Sequence, residues 1–115
     1  MPPDPRKYLW DALRAAELAG EFADDRSFAD YQADAMLRSA VERQFEIVGE
    51  ALNQLSKADP ETASKVPDLP RIVAFRNILI HGYAVVDDAL VWQLLRERLP
   101  NLERVIRELL PADLP

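Results

Sequence analysis

The chain has 115 residues, 49% apolar and 30% charged, the profile of one folded domain rather than of a disordered segment. It contains no cysteine and one histidine, which excludes disulfides, thiolate nucleophiles and an imidazole zinc cluster. Fourteen basic residues against twenty acidic ones give a net charge of −6, which argues against generic, phosphate-driven binding of nucleic acid.

Only three glycines occur, and Ala, Leu, Glu and Arg dominate, so an all-α fold is expected. The first helix is expected to start at Asp4-Pro5, an N-cap residue followed by proline at the first helical position, with Leu9, Leu13, Ala16 and Phe22 on its apolar side. "ADDRS" breaks it, and Ser27 with Asp30 reads as a capping box. A long second helix then runs from about Phe28 to about Lys57, near 45 Å at the α-helical rise. Leu37, Val41, Phe45, Val48, Leu52 and Leu55 form its stripe. Asp59-Pro60 opens a short helical piece that Pro67 and Pro70 end, and a fourth helix runs from Pro70 to a glycine stop at Gly82. Asp87 or Asp88 caps a fifth, carrying Trp92, Leu95, Leu99, Leu102 and Ile106, with Trp92 expected in the core and Pro100 expected to kink or interrupt it. The sum is a single domain over residues 1–115, a compact bundle of about five helices. No apolar run approaches the roughly 20 residues of a membrane span, and "MPPDPRKYLW" lacks a signal-peptide core, so a cytoplasmic protein without membrane contact is expected.

Charge is unevenly spread. Residues 17–34 hold six acids and one base, Arg26, whereas residues 69–86 hold no acid but carry Arg71, Arg76 and His81. Two segments offer chemistry. In "RQFEIVGEALNQL", Arg43, Glu46 and Glu50 share a side of the long helix, and the mid-helix Gly49 costs about 1 kcal/mol relative to alanine unless a neighbouring backbone approaches there. One reading pairs Arg43 with Glu46 on a solvated face while Gly49 admits another helix; the other turns Arg43 or Glu50 toward a cleft.

The second segment is "RNILIHGY", residues 76–83. Arg76 and His81 lie about 140° apart around an ideal helix, so they do not converge within it, whereas Asn77 and His81 share a face. That geometry fits a site assembled where the helix end meets another surface, such as the same helix of a second subunit. A histidine that moves protons, an arginine that holds a phosphate and an asparagine that fixes the imidazole or binds a phosphate oxygen suffice for metal-independent RNA cleavage through the 2′-hydroxyl. A histidine that merely caps the helix end is the plainer alternative. Tyr83 reads either as a rim aromatic or as a hydroxyl open to nucleic acid or modification.

"FRNILIHGY" matches an R-x4-H-x-Y pattern, and with "AVERQFEIVGEALNQLS", "VPDLPRIVAFRN" and "VVDDALVWQLLRERLPNLERVIRELL" the chain resembles the HepT-like toxins of the HEPN superfamily over nearly its whole length. The resemblance implies a homodimerising helical bundle and a metal-independent endoribonuclease toxin acting on RNA, without cofactor. It makes Arg76 and His81 the catalytic pair and Asn77 the polar residue that follows the arginine; Glu50 and Arg43 are the further supporting residues expected from the cleft-facing reading of the long helix. It also makes Tyr83 the site of AMPylation by a cognate minimal nucleotidyltransferase antitoxin, with which the dimer could form a larger complex. Two other expectations stand beside it: a non-catalytic helical subunit that binds and regulates such a nucleotidyltransferase, and a structural dimerisation bundle with neither activity.

Overall fold

Short-range capping chemistry sets where most helices of the computed structural model begin; the structure describes residues 4–81 and 86–111. The Asp4 carboxylate accepts from the Arg6 N–H at 3.0 Å and Pro5 fills the first helical position, opening α1 (Pro5–Phe22). Ser27 and Asp30 cap each other's backbone N–H groups at 2.9 and 3.1 Å, and α2 (Phe28–Ala33) follows.

The expected long second helix is divided. Asp34 adopts an extended backbone, ends α2, and caps α3 (Ala35–Ala58) by accepting from the Leu37 N–H at 3.1 Å. A short carboxylate competes with the helical backbone for donors and so favours caps over helix interiors. The spine of the bundle is therefore 24 residues, about 36 Å, rather than about 45 Å. Asp59 accepts from the Thr62 N–H at 3.2 Å to start α4 (Pro60–Ala63), and α5 (Leu69–His81) follows. Asp87, not Asp88, caps α6 (Asp88–Gln93).

The interruption expected at Pro100 takes the form of a π-helical turn, Leu94–Arg98, before α7 (Leu99–Leu109). Leu99 N–H reaches back five residues to the Leu94 carbonyl. Widening the turn just ahead of a proline, which has no N–H to give, keeps the chain helical through it. The two divisions, at Asp34 and at this turn, raise the helical segments among the described residues from about five to seven.

α1 and α5 pack along α3, and α7 closes against α1. All six residues of the α3 stripe are buried, and Phe45 meets Phe75 of α5 edge to face at 5.5 Å. Phe22 is exposed instead of lining α1's apolar side: it is the last residue of the helix, three positions past Ala19, the last buried residue of α1. Trp92 is half-buried rather than core: Tyr31 and Phe28 cover it at 5.4 and 6.1 Å, and the Arg96 guanidinium lies 4.4 Å above its ring. Arg96 also donates to the carbonyls of Ala23 and Arg26 at 2.8 and 2.7 Å, tying the α1–α2 connection to the π-helical turn.

Candidate functional site

α5 carries the acid-free segment, and Gly49 decides how closely it approaches α3. A Cβ at position 49 would stand 2.8 Å from Arg76 Cγ, closer still to Arg76 Cβ, and 3.3 Å from the Ile72 carbonyl. The missing side chain is thus the seat of the Arg76 stem, which accounts for a glycine in mid-helix. With its stem seated there, Arg76 reaches Glu50, the next residue of α3, through an Nη2–Oε2 ion pair.

The pair belongs to a chain of contacts. Gln54, one turn beyond Glu50, donates from Nε2 to Glu50 Oε1 at 3.1 Å. Arg76 Nη1 donates to Asn77 Oδ1 at 2.8 Å. Arg76 Nε is buried and has no partner among the described residues. The arginine side chain is 23% exposed and that of Glu50 45%, so the carboxylate carries the wetter end of the pair. The basic character expected of residues 69–86 is correspondingly reduced: a carboxylate 26 positions away in sequence neutralises Arg76.

Arg43 pairs with Glu46 at 3.0 Å on an exposed face, as the solvated reading has it. Arg43 also lines a cleft of about 450 Å³ between α1, α3 and the end of α5, so the two readings of this segment coincide. Tyr8 and Trp10 form the α1 wall of that cleft, Arg43, Ile47 and Glu50 the α3 wall, and Ile80 closes it from α5. The wall contributed by α1 has no signature in the sequence, because nothing local ties Tyr8 or Trp10 to residues about forty positions later. Gln54 is legible only in retrospect, as the i+4 neighbour of Glu50.

His81 is exposed in the last turn of α5. Helical geometry sets it on the side of Asn77, about 140° around the axis from Arg76. Ile78 and Ile80, between them, are 49% and 48% exposed, and Trp10 is 42% exposed. Trp10 and Ile80 meet at the cleft, and large apolar side chains left this open are a feature of association surfaces. Gly82 and Tyr83 lie outside the described residues, and with them the expected glycine stop and modification site. No described group of His, Asp and Glu has the makings of a metal site, and no described helix is long and apolar enough to cross a membrane.

Comparison with known proteins covers most of the chain. The family described as "Ribonuclease HepT-like" matches residues 12–109. A "Putative RNase" of Caldanaerobacter subterraneus subsp. tengcongensis is 37% identical, over 95% of this chain and 96% of its own. A "Putative RNase" of Methanocaldococcus jannaschii is 32% identical over 90% and 94%, and a "Probable ribonuclease HepT" of Thermococcus cleftensis 35% identical over 85% and 88%. No solved structure matches significantly.

Proposed function

This chain belongs to the HepT-like ribonuclease family of the HEPN superfamily, and on that premise we propose that it is a toxin endoribonuclease that cleaves RNA without a metal ion. His81 takes the proton of a ribose 2′-hydroxyl, and the 2′-oxygen attacks the adjacent phosphorus. The 5′-oxygen leaves with a proton from His81 of the partner subunit, giving a 2′,3′-cyclic phosphate and a 5′-hydroxyl. Arg76 stabilises the charge that accumulates on the phosphoryl oxygens. Asn77, Glu50 and Arg43 support this pair.

The observation that carries the reading is the placement of Arg76. Its stem is seated on Gly49 and its guanidinium restrained by Glu50, while His81 stands exposed at the end of the same helix. A cation seated and restrained in this way is preorganised as phosphoryl chemistry requires. The angle between the two supports a homodimer in which one cleft takes groups from both copies, and exposed Ile80 and Trp10, which both line the cleft, support subunits meeting there.

In this reading Tyr83 is AMPylated by a minimal nucleotidyltransferase antitoxin, and the added phosphate repels an anionic substrate. The net charge of −6 and the neutralised Arg76 favour a second reading, a non-catalytic subunit that regulates the nucleotidyltransferase. Purified, unmodified protein incubated with RNA separates the two. Cleavage is expected, with His81→Ala and Arg76→Ala each lowering the rate by about 10²–10⁴-fold while the dimer persists in sedimentation. Cleavage that survives both substitutions would sink the assignment. Intact-mass analysis after incubation with the nucleotidyltransferase and ATP tests Tyr83, whose Phe variant should gain no AMP.

A further inference from the structure

The catalytic reading leaves unexplained how a long, flexible arginine is kept in one place at the surface of a small bundle. Arg76 has three constraints on three sides. The stem is fixed because the Gly49 notch accepts Cβ and Cγ, which no other residue type at 49 would allow without displacement. One amine end is fixed by Glu50 and the other by Asn77. An arginine–carboxylate contact is only as directional as the carboxylate is still, and a glutamate on a helix surface samples several rotamers. Gln54 removes that freedom here: its amide holds the oxygen of Glu50 that Arg76 does not use, at 3.1 Å. Both carboxylate oxygens are then engaged, one from within α3 and one from α5.

We propose that Glu50 and Gln54 are positioning residues that act in series on Arg76, Gln54 fixing the Glu50 carboxylate and Glu50 fixing the guanidinium. Neither touches substrate. Arg76 keeps N–H groups beyond the two that Glu50 and Asn77 engage, so the socket aims the cation without using up its donors. The proposal rests on Arg76 serving RNA cleavage, and its test separates the two questions.

Two measurements on Glu50→Gln, Glu50→Ala and Gln54→Ala are compared with wild type. The first is nitrogen NMR of the arginine side chains. Slow rotation of the Arg76 guanidinium is expected in wild type, faster rotation in Gln54→Ala and Glu50→Gln, and the fastest in Glu50→Ala, where Asn77 alone still holds it. The second is steady-state RNA cleavage. Glu50→Ala should lower kcat by about 10–100-fold with KM changed less than about threefold, because misplacing a transition-state group costs rate rather than ground-state binding. Gln54→Ala should lower kcat by a smaller factor, and the double variant should be no worse than Glu50→Ala alone, as expected of residues acting in series.

A guanidinium that rotates equally freely in wild type and variants overturns the proposal whatever the cleavage result. So does a loosened guanidinium with unchanged kcat, or a loss that falls wholly on KM. Additive losses in the double variant overturn the serial order. Wild-type protein that cleaves no RNA removes the ribonuclease reading instead, while the NMR comparison still decides whether the socket exists. Gln54→Ala and Glu50→Gln keep the test open if Glu50→Ala fails to fold.

Discussion

Gly49→Ala places a methyl group against Arg76 Cβ and Cγ, where neither partner has room. Helix propensity alone favours the substitution by about 1 kcal/mol, whereas forcing an atom into a packed contact costs about 1–3 kcal/mol. Overpacking therefore wins, and the variant should be less stable by up to about 2 kcal/mol in denaturant titration, with cleavage falling further than stability does. A midpoint equal to or above wild type would mean that α5 gives way freely at this contact. Glu42 offers a residue-scale prediction about pH. Burial, then the nearby Asp88 and Glu46, raise its carboxyl above the ordinary 4.5, and Arg38 opposes them. A raised carboxyl binds its proton more tightly folded than unfolded, so its contribution to stability is lost as pH climbs from the ordinary value through the folded one. Glu42→Gln should accordingly raise the melting temperature at pH 7 and leave it unchanged below pH about 4, where both states are protonated. An equal shift at both pH values would assign the gain to packing.

Among the elements, the one most dependent on a single side chain is the π-helical turn. Arg96→Ala removes two charge-assisted bonds to the Ala23 and Arg26 carbonyls and the stacking over Trp92. A loss of about 1–3 kcal/mol in equilibrium unfolding is expected; a change within about 0.3 kcal/mol would show that water replaces the guanidinium at little cost. The same contrast between short and long range explains what can be read from the amino-acid sequence. Helix starts at Asp4, Ser27, Asp59 and Asp87 are legible because each cap closes within three residues. The break at Asp34 is missed because the residues on both sides of it suit a helix and no glycine or proline marks the junction, although Asp34 is itself a cap residue. The exposure of Phe22 is a matter of where α1 runs out past the packed bundle, which an apolar period does not fix. At the candidate site, the residue types of "RNILIHGY" and the notch at Gly49 are readable. The pairing of Glu50 with Arg76 is not, since α3 and α5 meet only through the packing of the whole bundle.

For the molecule as a whole, charge sets how it meets RNA. With a net charge of −6 and Arg76 already paired, the candidate site itself offers little free cation to displace counterions from a nucleic-acid strand. Binding of single-stranded RNA by the His81→Ala variant, which separates binding from turnover, should show a slope of log K against log salt no steeper than about −2. At about −0.7 per phosphate contact this corresponds to two or three contacts. A much steeper slope would reveal a basic surface elsewhere. Seen in time rather than space, the Arg96 bridge has another meaning. Its bonds join positions 73 and 70 apart in the chain, among the last kinds of contact that a folding polypeptide can secure, because closing so long a loop forfeits entropy before anything is gained. It should act as a clasp fastened after the barrier has been crossed. In a chevron plot Arg96→Ala should leave the refolding limb in place and speed unfolding by about tenfold for each 1.4 kcal/mol lost, shortening the native lifetime of the bundle.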